Sequence, residues 1–255
     1  MIRFASLGSG SSGNALLVES GATRLLVDCG FSLRETAARL NRLGVTPGDL
    51  TGLLVTHEHS DHIGGVFRLA RRYGLPVWLT YGTLMAAGAA ADGADCRVID
   101  SHDPLAVNDL EVLPYPVPHD AREPVQYVFS DGALRLGVLT DAGEATAHLR
   151  AMLSGCHGLV LECNHDARML AESAYPPALK RRIAGRYGHL ENQAAADLLA
   201  SIDASRLQHL VAAHLSEHNN LPELAARVLA AAVNCEEGWV GVADQAAGFA
   251  WRQLG

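Results

Sequence analysis

Between Thr56 and His62 the sequence THEHSDH places three histidines, a glutamate and an aspartate directly behind the apolar run Leu53-Leu54-Val55. In an extended segment alternate side chains point the same way, so His57 and His59 can offer imidazoles to one cation. Asp61 and His62 fall where the chain turns, eased by Gly64 and Gly65, and can face a second, adjacent position. Each position then needs further ligands. His119, Asp141 and His214 each stand just past a run that reads as a strand, and they are the residues available. The expected arrangement is His57, His59 and His119 around one ion and Asp61, His62 and His214 around another, with the Asp141 carboxylate between them. A nitrogen and oxygen donor set without thiolate suits zinc or manganese. The plainer reading is a solvated polar loop, and four coordinating residues within six positions outweigh it. His102, His148, His157 and His209 lack such a setting and read as structural or exposed.

Positioning these groups requires a scaffold, and short β-branched or apolar runs recur along the chain. They cover 15–19, 24–27, 53–55, 77–79, 110–114, 125–129, 135–139, 159–161, 210–213, 239–242 and 249–251, and they read as strands. Helical patterns lie between them at 33–43, 65–73, 142–153, 192–202 and 222–232; Asn219 and Asn220 are candidate caps for the last, with Pro222 in its first turn. Strands interleaved with helices imply a layered α/β fold. The segment 86–94, rich in alanine and glycine, reads as a helix end or loop. In such folds strand ends converge on one edge, where ligands bind. Asp28, His57, His119, Asp141 and His214 all follow predicted strands, so one shared site accounts for them together.

The chain has 255 residues, 49% of them hydrophobic, and a net charge of −8. One domain spanning residues 1–255 is expected. No apolar run reaches the ~18 residues that span a bilayer and the start lacks a signal-peptide pattern, so a cytoplasmic location with no membrane association is expected. Five cysteines without a Cys-x-x-Cys pair argue against a disulfide framework and read as small buried apolar residues. The acidic balance disfavours non-specific blanketing of nucleic acid, so a polyanionic substrate must meet local positive charge. The candidates are Arg71-Arg72 and Lys180-Arg181-Arg182 with Arg186, and each also reads as a solvated helix face.

Several motifs together resemble the metallo-β-lactamase fold of dinuclear metal hydrolases. They are His57-x-His59-x-Asp61-His62 with Asp28 upstream, and His119, Asp141 and His214 downstream. SLGSGSSGNALLVE, THEHSDHIGGV, VPHDA, TDAG, LECNHD, GHLEN and AHLSEHNN extend the likeness over nearly the whole chain to the YycJ/WalJ-like branch of DNA exonucleases. The resemblance implies an α/β, four-layer αββα sandwich with two divalent ions at one edge. It implies the same seven ligands, and that Asp28 holds the histidine loop without binding metal. By similarity to tRNA-processing nucleases, His189 in Gly188-His189-Leu190 would act near the scissile phosphate, as general acid to the leaving oxygen. One departure is Glu191, where the branch usually has serine; a solvent-facing side chain is the expected reading, and weakened anion binding is the alternative.

A ligating carboxylate keeps a free oxygen, so Asp61 could also orient the attacking water. The loop Gly8–Asn14 offers backbone N–H groups and the side chains of Ser11, Ser12 and Asn14 to an anion. Asn164, His165, His218 and Asn220 are further candidates for contacting substrate, each equally readable as a cap or loop hydrogen-bonder. The leading expectation is a metal-dependent phosphodiesterase acting on DNA in the 5′ to 3′ direction. The alternative is a small-molecule hydrolase, such as a cyclic ribose phosphodiesterase, and a non-catalytic metal-binding protein is disfavoured by the complete ligand set.

Overall fold

The computed structural model describes all 255 residues, Met1–Gly255. Fourteen strands occur in chain order: β1 (Ile2–Gly8), β2 (Ala15–Ser20), β3 (Thr23–Val27), β4 (Gly52–Leu54), β5 (Val77–Thr80), β6 (Cys96–Ile99), β7 (Leu105–Val107), β8 (Leu110–Pro116), β9 (Val125–Ser130), β10 (Arg135–Leu139), β11 (Gly158–Glu162), β12 (His209–Ala213), β13 (Gly241–Val242) and β14 (Phe249–Gln253). They form two seven-stranded sheets, ordered β14-β1-β2-β3-β4-β5-β6 and β13-β12-β11-β10-β9-β8-β7. The two sheets share one plan. From β14 to β3 and from β7 to β10 neighbours are antiparallel, whereas β3 to β6 and β10 to β13 are parallel.

The side-chain period of two along each strand divides the core into three layers. Leu16 and Val18 of β2 point into a cluster between the sheets, where they join Val138, Val160 and Val211. Their neighbours Ala15 and Leu17 point outward to the helices Leu33–Arg42 and Val66–Tyr73, meeting Leu40, Phe67 and Leu69. On the opposite side Leu159, Leu161, Leu210 and Ala212 pack against Leu149, Leu198 and Leu229 of the helices Ala147–Leu153, Asn192–Ala200 and Pro222–Ala232. Three apolar layers between four sets of elements make the αββα sandwich. The central parallel strands are buried on both faces, which is why they read as unbroken apolar runs.

Several local expectations change. β1, β6 and β7 and the helices Tyr81–Ala87, Ala167–Glu172 and Pro177–Ile183 were not anticipated from periodicity. Trp239 lies in a 3₁₀ turn ahead of β13. The helix expected from Ala142 begins at Ala147, because the Thr146 side chain caps it by accepting from Leu149 N. The preceding residues are drawn elsewhere: Ala142 N donates to Glu162 Oε2 at 2.9 Å and Gly143 N to Pro118 O at 2.8 Å. Asn220 accepts from Leu221 N, the cap position of the helix Pro222–Ala232, and its amide turns inward to Cys163 O at 2.7 Å.

Candidate metal centre

Loops leaving β3, β4, β8, β10, β11 and β12 meet along one edge of the sandwich. The histidine loop is laced to its surroundings by backbone bonds: Asn14 N to Asp61 O at 2.8 Å, Cys29 N to His62 O at 2.7 Å and Gly65 N to Cys29 O at 2.7 Å. It is tied to the second sheet by Val125 N donating to Thr56 O at 3.0 Å and by the Tyr127 hydroxyl donating to Val55 O at 2.7 Å. His59, which opens the short helix Ser60–Ile63, and Asp61 within it stay half-buried, while His57 and His62 are buried.

Asp28 organises the histidines without joining them. It adopts a left-handed backbone (φ 60°), an uncommon conformation that aspartate tolerates better than most residues. One carboxylate oxygen accepts from Thr56 N and the other from the Thr56 hydroxyl, both at 2.8 Å. The second oxygen also accepts from His62 Nδ1 at 2.8 Å. The Thr56 hydroxyl spends its proton on Asp28, so at 2.9 Å it accepts from His57 Nδ1. Nδ1 thus carries a proton on both imidazoles, and Nε2 of each is left to face the centre. His119 is oriented the same way by Gly188 O, 2.9 Å from its Nδ1.

The ligand atoms of His57, His59 and His119 lie within 4.8 Å of one another, as do those of Asp61, His62 and His214. Asp141 lies between the two sets: Oδ2 is 3.3 Å from His62 Nε2, and Oδ1 is 3.5 Å from His214 Nε2 and 3.8 Å from His119 Nε2. All seven expected residues therefore converge. His57 Nε2, His214 Nε2 and Asp141 Oδ2 are buried without any hydrogen-bond partner. Unpaired buried polar atoms cost free energy, and three of them in one cluster fit a cation that would satisfy them.

The electrostatics agree. Burial acts against it, yet the adjacent His214 and His62 imidazoles hold the Asp61 carboxyl far below the usual carboxylate range. Burial is likewise overcome at His214, where Asp141, Asp61 and Glu162 push the imidazole up to about 9, and at His62, raised by Asp141 and Asp28. Burial and the neighbouring His62 push His57 down. Two carboxylates at the middle of the cluster thus draw positive charge to this spot, whether as protons or as divalent cations.

Three participants lacked a sequence signal. Glu162, the last residue of β11, sits 2.7 Å from His189 Nδ1 and accepts from Ala142 N and Leu190 N. Burial and the adjacent Asp141 raise its pKa. Thr56 is the link between Asp28 and His57, and Asp120 at the rim pairs with Arg182 at 2.5 Å. A carboxylate closing a buried strand, or one following a ligand, has no periodicity to mark it.

A cleft of about 390 Å³ opens over the centre, lined by His59, Asp61, Asp141, His189, His214, Ser11, Asn164 and Ser216, and walled by Tyr175, Leu179, Arg182 and Ile183. Ser11 and Asn164 therefore reach it. Asn14 is buried and spends its side chain on Gly10, Ser9, Asp61 and His62. Ser12 is exposed with its N–H on Gln245, and His165 is buried behind Asn164. His218 is exposed beside Tyr175, and Asn220 is locked to Asn192 and Cys163. These five do not line the cleft. Glu191 is half-buried at the start of the helix Asn192–Ala200, also outside the cleft. His102 and His148 are exposed, His157 accepts from Arg135 N, and His209 contacts Gln253 O. No helix is long and apolar enough to cross a membrane.

Residues 23–214 match the model of the Beta-lactamase superfamily domain. The chain is 39% identical over 227 residues to the exodeoxyribonuclease YycJ of Bacillus anthracis, covering 88% of this chain and 86% of that one. It is 32% identical to the exodeoxyribonuclease WalJ of Streptococcus pneumoniae, covering 88% and 85%. Its fold superposes on the metallo-beta-lactamase fold protein YhfI of Bacillus subtilis with a TM-score of 0.76 at 16% identity, covering 98% of each chain. With that fold, and with clustered imidazoles and carboxylates able to hold metal, the chain belongs to the beta-lactamase superfamily and, within it, to the family of the YycJ and WalJ exodeoxyribonucleases.

Proposed function

We propose that this protein is a metal-dependent phosphodiesterase of nucleic acid, a 5′ to 3′ DNA exonuclease acting in the cytoplasm as one domain. The observation that carries the reading is the convergence of seven nitrogen and oxygen donor residues, three of their atoms buried and unpartnered, with His59, Asp61, Asp141 and His214 lining a cleft. The names and near-full coverage of YycJ and WalJ support DNA as substrate. His57, His59 and His119 would hold one divalent cation and Asp61, His62 and His214 a second, with Asp141 reaching both; zinc or manganese suits these donors. Bound there, such a pair supplies charge neutralisation at a phosphodiester and acidifies an attacking water.

The protein's own groups complete the reaction. Asp61 faces the cleft with its second oxygen free to orient the water that attacks phosphorus. His189 has Nδ1 engaged by Glu162, which turns Nε2 toward the cleft as the nitrogen to protonate the leaving oxygen. Burial lowers the His189 pKa to about 4, with Asp141 opposing and the His214 charge adding to it. A phosphodiester brings negative charge that acts in the raising direction, which a proton donor requires. Tyr175, Leu179 and Ile183 form one wall of the cleft.

The test is to incubate the protein with manganese or zinc and either 5′-phosphorylated duplex DNA or a cyclic ribose phosphodiester. Release of mononucleotides from the DNA is expected; hydrolysis of the cyclic compound alone would transfer the assignment to the small-molecule alternative. His59→Ala should abolish activity and lower metal content. His189→Ala should slow turnover about 10²–10⁴-fold at unchanged metal content.

A further inference from the structure

The cleft over the metal centre is not the only depression at this edge. On the other side of the histidine loop lies a second groove of about 410 Å³, with Gly64, Phe67, Arg68, Arg71 and Ala87 among its walls. Ser60 lines both depressions, so only the turn of the loop separates them. The groove runs along the helix Val66–Tyr73, whose sequence VFRLARRY has three arginines and no acidic residue. Arg68 and Arg71 are three positions apart and share one helix face.

Their charge is not tied up in ion pairs, unlike that of Arg182 and Arg186. Arg182, the one arginine of the cleft, is neutralised by Asp120, and Arg186 beyond it by Glu144 at 3.0 Å. Arg68 is exposed and makes no ion pair; Arg71 contacts only the carbonyls of Ala90 and Asp92, at 3.0 and 2.9 Å. The carboxylate bordering the groove, Glu58, accepts from Arg122 N at 2.7 Å. In a protein of net charge −8, a groove that sets Arg68 and Arg71 against the single carboxylate of Glu58, one loop turn from the catalytic cleft, is a place for a polyanion.

We propose that this groove carries the backbone of the DNA strand that continues beyond the scissile phosphate, with successive phosphates on Arg68 and Arg71 and the terminal nucleotide in the cleft walled by Tyr175 and Arg182. The proposal rests on the exonuclease reading above. Ser60, at the boundary with the cleft, lines the same groove as Arg68 and Arg71. The groove gains no sequence preference from this, since guanidinium contacts to phosphate position a strand without reading its bases.

The experiment compares wild type, Arg68→Glu and Arg68→Ala on a 5′-phosphorylated single strand of about twenty nucleotides and on a 5′-phosphorylated dinucleotide. Arg68 is exposed and unpaired, so both variants should fold, which circular dichroism checks. The charge reversal should raise KM for the long strand about tenfold with kcat and the dinucleotide reaction unchanged, and the alanine variant should reduce the salt dependence of log(kcat/KM) by about one unit of slope. An unchanged KM for the long strand, or an equal rise for the dinucleotide, overturns the groove while the exonuclease reading stands. If wild type hydrolyses no DNA, that reading fails instead, and the anisotropy of a fluorescein-labelled long strand decides the groove: weaker binding by Arg68→Glu supports it, equal binding overturns it.

Discussion

Asp28 shows how much of this centre depends on a residue that offers it no ligand. Its two oxygens set the protons of His62 directly and of His57 through the Thr56 hydroxyl, so that both imidazoles present a lone pair inward. Asparagine in its place tolerates the left-handed backbone, but its amide would point N–H groups at partners that are themselves donors. Asp28→Asn is expected to weaken metal binding about 10–100-fold while leaving the fold in place. Titration against a chromophoric chelator measures this, and an affinity equal to wild type would mean that the tautomers are set elsewhere. Glu162 bears the same relation to His189. Neither relation is visible in the chain as a string of letters, since each joins residues 27 or more positions apart.

Among the elements, the turn from β3 and the histidine loop are packed backbone against backbone. A Cβ on Gly30 would lie 1.9 Å from Asp61 O, and one on Gly65 would lie 2.0 Å from Phe31 O. No rotamer change relieves a clash with main chain, so Gly30→Ala must push the histidine loop away from β3. Destabilisation of about 3 kcal/mol is expected, together with loss of metal uptake, because Asp61 moves with its carbonyl. Thermal melting and metal analysis of the purified variant read the two effects, and a normal melting temperature with full metal content would show that the loop has slack. The helices anticipated at 222–232 and 65–73 appear at Pro222–Ala232 and Val66–Tyr73, where the apolar face is continuous. The one expected from Ala142 does not begin there, because Glu162 and Pro118 compete for its first N–H groups.

At the level of the entire molecule, three apolar layers hold the sandwich, and the cysteines show how tightly they close. Burial pushes the thiols of Cys29 and Cys156 up to about 11 and that of Cys163 higher still. Thiolate is the reactive form, so at pH 8 these three are both protonated and inaccessible. Cys96 and Cys235 are half-buried. Iodoacetamide on the native protein is therefore expected to modify Cys96 and Cys235 alone, with the others reacting only after denaturation. Mass spectrometry of the digested protein locates the label; early modification of Cys29 or Cys163 would mean that the layers beside the metal centre open readily.

Residue types and short-range periodicity in the chain were enough to mark out a layered α/β fold, most strands and seven candidate donors, while the four-layer αββα order was implied only by the family resemblance. Buried parallel strands leave unbroken apolar runs, and a polar residue just past such a run has few reasons to be there except the edge it reaches. What needed the tertiary structure was which atoms face one another. Asp28 against His62, Glu162 against His189, Asn14 and Asn220 turned inward, and Ser60 shared by two grooves all follow from how two sheets of similar plan meet along one edge. That register is set by packing between segments distant in sequence, and no local pattern carries it.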